Sequence, residues 1–192
     1  MAIGLCSSVP HHYPDLIRIF DKCFYTDYKT RLVAGDDEPF YQPAGELPYH
    51  QVVFAHGFFA SALHEVAHWC IAGEKRRQQF DYGYWYEPDG RDAVQQEQFE
   101  QAERKPQALE WLFSLCAGSP FQVSVDNLGG AEVDRPAFTR AVHEQLTAYI
   151  LNGLPERAQV FARALAAYYV QPWPDAQRIR GLITTKERST TR

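Results

Sequence analysis

The run His64-Glu65-Val66-Ala67-His68 constrains this chain more than any other. Residues four apart on a helix stand one above the other on the same face, so two imidazoles at this spacing can hold one metal ion from one side. Glu65 is rotated about 100° from His64 and flanks such an ion. The surrounding residues predict that helix. Val52-Val53-Phe54-Ala55 reads as a short strand, and Gly57 marks the junction after it. Phe59, Leu63, Val66 and Cys70 then recur at helical period, and Gly73 is expected to end the helix as a C′ glycine does. The stripe through both histidines (Gly57, Ser61, His64, His68, Ala72) is otherwise small, which leaves room for a close approach to the ion. With 7 His in 192 residues the pattern arises by accident in roughly two of a hundred such chains. A strand immediately before a predicted helix argues against accident here.

The remaining composition is that of one folded domain. A chain of 192 residues with 45% hydrophobic content suits a single core rather than two. We expect a domain over 1–175 and a basic, polar, disordered tail over 176–192. The tail holds Arg178, Arg180, Lys186, Arg188 and Arg192 against Glu187, a net of +4, so the body carries -9 of the overall -5. An acidic body argues against a nucleic-acid backbone as ligand and is compatible with a basic substrate. No apolar run is long enough to cross a bilayer, and the first ten residues lack a basic leader region. Cys6, Cys23, Cys70 and Cys116 are widely spaced and form no C-x-x-C. We therefore expect free thiols, a reducing cytoplasm and no membrane partner.

Periodicity predicts an α+β fold: a mostly helical domain with a small sheet beside the metal-binding helix, a zincin-like arrangement. A first helix is expected over 13–24, with Pro14 in its first turn. Short extended pieces follow at 32–35 and 39–43, joined by Asp36-Asp37-Glu38; Pro39 and Pro43 confine the second to a sheet edge. The aromatic run 80–86 suits another strand. Helices are expected over 92–118, broken or kinked at Pro106, then over 135–151 and 155–169.

Two histidines make an incomplete site. Zinc enzymes use three protein ligands plus water, and non-haem iron uses two histidines and a carboxylate. Glu103, Gln107 and Glu110 share one face if 92–118 is a single helix. The two glutamates would then be two turns, about 10 Å, apart, so one of them can bind the ion. Pro106 frees the carbonyl of Ala102 beside Glu103, which favours Glu103 as third ligand. Glu110, between Leu109 and Trp111, is the second choice, since a carboxylate in an apolar stretch needs a partner. Taken singly, either residue is more commonly a surface carboxylate. His56 has two readings, a group lining the site or a hydrogen bond at the helix start.

Several longer runs resemble the bacterial elongation factor P hydroxylase family. They are Arg31-Leu32-Val33-Ala34-Gly35-Asp36-Asp37-Glu38-Pro39, the region from Val53 through Gly73, and Gly83-Tyr84-Trp85-Tyr86 with Pro88-Asp89-Gly90-Arg91-Asp92. Lys105-Pro106-Gln107-Ala108-Leu109 with Trp111-Leu112-Phe113, and Asn152-Gly153 with Pro155-Glu156-Arg157, complete the set. The resemblance covers residues 13–169. It implies a metal-dependent monooxygenase that hydroxylates a lysine of elongation factor P already carrying a lysyl group. His64, His68 and a downstream glutamate would be the ligands, with Glu65 the catalytic carboxylate. Oxidising an unactivated C–H bond requires O₂ activation, and zinc has no redox chemistry. Fe(II) on a two-His, one-carboxylate face is the expected cofactor and O₂ the co-substrate; the sequence names no electron donor. Asp36 and Asp37 would suit a substrate bearing extra amines, and Tyr84 and Tyr86 a cation-binding aromatic wall. Two other functions fit the H-E-x-x-H alone. A zinc metallopeptidase would use Glu65 as general base. A metal-stabilised interaction module would close the site with a fourth ligand, His56.

Overall fold

The computed structural model describes residues 10–81, 89–125 and 127–189. Helix α1 (Tyr13–Tyr28) leads into strand β1 (Thr30–Ala34), followed by β2 (Phe40–Gln42) and β3 (His50–Phe54). The histidine motif lies on α2 (Phe59–Ile71). Then come α3 (Ala93–Ala117), α4 (Arg135–Asn152), α5 (Glu156–Tyr168) and α6 (Ala176–Ser189). The fold is α+β, mostly helical with a small sheet. Among the described residues, no helix is long and apolar enough to cross a membrane.

The sheet has the order β1-β3-β2, with β1 parallel and β2 antiparallel to β3. Val52, Val53 and Phe54 are all buried, as a central strand with both faces covered requires. β2 is an end strand, in keeping with its flanking prolines, and its outer side pairs with the backbone of Asp81. The strand expected over 80–86 reduces to that bridge among the described residues; residues 82–88, Tyr84 and Tyr86 included, lie outside them.

His56 and Gly57 take consecutive left-handed backbone angles, with φ of 54° and 65°, and these turn the chain from β3 into α2. A side chain at position 57 would also meet the Tyr13 ring at 3.1 Å. Ser61 Oγ accepts from the Ala55 N–H at 3.1 Å and closes the turn. Of the apolar stripe expected on α2, Leu63, Val66 and Cys70 are buried and Phe59 is half-buried, and Trp69 joins them in the core. Trp69 packs against Phe24 and Phe20 of α1, with ring centroids 4.8 and 5.1 Å away.

Three expectations are corrected. Gly73 does not end α2 by a left-handed turn: Ala72, in an extended conformation, is the cap. The last carbonyls are taken instead by guanidinium groups. Arg157 of α5 donates to Cys70 O at 3.1 Å and Ala72 O at 2.5 Å, and Arg77 donates to Ala72 O at 2.8 Å. Second, of the break or kink expected at Pro106 the break is absent, and α3 runs through it as one helix. Pro106 is buried, and the packing of α3 against α2, α4 and α5 offsets the roughly 3 kcal/mol that an interior proline costs. Third, the segment from Ala176 is helical rather than disordered. Asp175 caps it by accepting from the Arg178 N–H, Ile179 is fully buried, and His143 Nε2 donates to Ile179 O at 2.8 Å.

Candidate metal centre

Helix α2 packs directly on α3, and this contact brings the second half of the site to the first. His64 and His68 point their Nε2 atoms at one another across 3.0 Å. Glu103 of α3 faces both, with Oε1 3.2 Å from His68 Nε2 and Oε2 3.5 Å from His64 Nε2. Among the described residues, these three side chains form the group able to offer ligand atoms to one ion, all within 4.8 Å of each other. The spacing suits a single cation. Donors about 2.1 Å from one ion and at right angles to each other lie about 3 Å apart.

Glu110 does not join the triangle. Its Oε2 lies 2.8 Å from His64 Nδ1, the other ring nitrogen. Both glutamates therefore touch His64, with the imidazole bridging the two-turn gap between them. A carboxylate on Nδ1 keeps a proton there, so Nε2 is the nitrogen that exchanges its own proton for an ion beside Glu103 and His68. Gln107 sits between the two glutamates and orients Glu103. Its amide donates to Glu103 Oε2 at 3.2 Å and to Ser124 O at 2.7 Å, and its carbonyl accepts from the Ser124 N–H at 2.9 Å. The loop after α3 thus fixes Glu103 through a neutral side chain.

The electrostatics of the cluster favour a cation. Burial by itself would lower the His64 pKa, but Glu103, Glu110 and Glu65 outweigh it and raise the imidazole to about 10. Burial likewise pushes Glu103 up, and the two histidines overcome it, bringing the carboxyl down to about 2. In the metal-free chain a proton on His64 supplies positive charge that a bound ion would otherwise bring. Glu65 lies outside the triangle, and burial pushes its carboxyl above the usual range.

A pocket adjoins the triangle between α2 and β2. Phe40, Tyr41, Val52 and Trp69 form its apolar wall, and Glu65, His68, Arg76, Arg77 and Asp81 are its charged or ionisable groups. The other sequence candidates lie elsewhere. His56 is exposed in the turn before α2, its ring 5.7 Å from Phe58, and its N–H donates to Gly35 O at 3.1 Å. It is not part of the cluster. Asp36 and Asp37 are exposed in the loop between β1 and β2 and do not line the pocket. Sequence reasoning did not single out Asp81, Arg76 or Arg157. Arg157 lay within a run already matched to a family, but nothing in its spacing points to the end of α2.

Comparison with known proteins agrees with the resemblance. A family model described as elongation factor P hydroxylase matches residues 19–179. The chain is also 51% identical, over 160 residues, to the elongation factor P lysine hydroxylase of Haemophilus influenzae, covering 83% of this chain and 90% of that protein. With the match running from α1 to α6 and enclosing His64, His68 and Glu103, this chain belongs to the elongation factor P hydroxylase family.

Proposed function

We propose that this hydroxylase is a metal-dependent monooxygenase of the cytoplasm. It acts on the lysyl-modified lysine of elongation factor P, with O₂ as co-substrate. The observation carrying this reading is the donor triangle of His64, His68 and Glu103, two imidazoles and one carboxylate converging from two helices. Fe(II) bound by these residues would supply O₂ activation, which a redox-inert zinc ion does not. A strand leading into the motif helix, with the carboxylate arriving from a neighbouring helix, supports a zincin-like arrangement as part of the same proposal.

The protein's own groups then have distinct tasks. Glu110 holds the proton on His64 Nδ1, and Gln107 holds Glu103 in register. The apolar wall of the adjoining pocket keeps water from the carbon chain of the substrate. Glu65, beside His68 in that pocket, is the carboxyl that carries a proton next to the reacting chain. Elongation factor P bearing the lysyl group should gain the mass of one oxygen on incubation with the purified protein, Fe(II), O₂ and a chemical reductant. Stoichiometric zinc accompanied by peptide cleavage, with no mass gain, would overturn the reading.

A further inference from the structure

We infer that the pocket between α2 and β2 is the subsite for the added lysyl group, with Asp81 receiving its terminal ammonium. The inference rests on the hydroxylase reading above and names the part of the substrate that this pocket takes. Three observations support it. The pocket is continuous with the metal centre, because His68 and Glu65 form part of its wall. Its apolar part is aromatic, with Phe40, Tyr41 and Trp69 placed to face a methylene chain and a cation once the Arg76 side chain moves out. Asp81 stands in the wall as well, and its backbone is fixed: Tyr41 N–H donates to Asp81 O at 2.6 Å and Asp81 N–H donates to Tyr41 O at 3.0 Å.

Two arginines also line the pocket, and their engagements decide which charge it accepts. Arg77 is committed to the end of α2 through Ala72 O. Arg76 pairs with Asp81. The Arg76 side chain is 40% exposed and that of Asp81 18%, so the guanidinium is the partner able to swing into solvent. An incoming alkylammonium replaces Arg76 on a carboxylate that stays in place. The pocket thereby distinguishes a lysine extended by a second amine-bearing chain from an unmodified one, whose side chain ends near His68.

Calorimetric binding of elongation factor P with and without the lysyl group tests this, and the two ligands serve as controls for each other. The wild-type chain should bind the lysyl-modified form about tenfold more tightly, the scale of one charged hydrogen bond. Asp81→Asn should abolish that preference, read as the ratio of the two dissociation constants within the variant. Arg76→Met, which leaves Asp81 in place, should keep or increase the preference. Equal binding of both forms by the wild type, or a preference surviving Asp81→Asn, overturns the inference. So does its loss in Arg76→Met, which would assign the pocket to an anionic group. Hydroxylation measured alongside keeps the two claims separate: a wild type that adds no oxygen removes the hydroxylase reading without altering the binding constants.

Discussion

Replacing Glu110 should weaken metal binding in steps set by the His64 Nδ1 contact. The Glu110 carboxylate accepts from Nδ1 at 2.8 Å, a charge-assisted hydrogen bond that orients the ring and raises the basicity of Nε2. Glu110→Gln keeps an oxygen able to accept the same proton but loses the charge. Charged hydrogen bonds contribute about 1.5–3 kcal/mol and neutral ones about 0.5–1.5, so the glutamine variant should lose about 1 kcal/mol, roughly fivefold in metal affinity. Glu110→Leu removes the acceptor as well, and its loss should approach the roughly hundredfold upper range for groups that orient a ligating histidine. Glu103→Ala removes a proposed ligand and should lose stoichiometric metal altogether. Competition titration with a chromophoric chelator measures all three on one scale. The reasoning fails if Glu110→Leu binds as tightly as wild type, or if Glu110→Ala loses metal while Glu103→Ala retains it.

Other outcomes follow from the same geometry. Arg157→Met should lower stability by about 2 kcal/mol, because Cys70 O loses its guanidinium partner and Ala72 O keeps Arg77 alone. For a chain of this size that is a fall of about 4–8 °C in melting temperature, and an unchanged melting curve would contradict the role given to Arg157. The metal-free protein should also show opposed pH dependences. His64 is raised from 6.5 to about 10, so its stabilisation is complete below pH 6.5 and is lost as pH rises through about 10. Glu103 is lowered from 4.5 to about 2, so its stabilisation is present above pH 4.5 and is lost as pH falls through about 2. Thermal scans of the metal-free chain should therefore show melting falling between pH 6.5 and 10, with Glu103→Gln flattening the slope. An equal slope in both proteins would refute the coupling.

The histidine pair was legible because its geometry is local: one helical turn fixes it whatever the remainder of the fold. For the third donor the sequence favoured Glu103 over Glu110, and Glu103 is the carboxylate grouped with the histidines; the place of Glu110 on the other ring nitrogen emerges only when α2 packs on α3. The two-turn spacing allowed only one of the glutamates to bind the same ion. The His64 imidazole has two nitrogens, each able to meet one carboxylate. At Pro106 local propensity allowed a break or a kink, and tertiary burial removes the break by keeping the helix whole. The segment from Ala176 was judged on its polar, basic composition, while Ile179 and Leu182, three residues apart, give it an apolar edge that packs on the core. Asp81 was invisible because its significance comes from β2 pairing and from the pocket wall, neither of which its neighbours in the chain reveal.

Addition of oxygen to elongation factor P is the activity proposed for this chain. Intact-mass measurement of elongation factor P from cells with and without the gene tests it most directly. Elongation factor P from cells lacking the gene should keep its lysyl group and be lighter by one oxygen. Identical masses from the two strains, under aeration and with the lysyl group present in both, would contradict it.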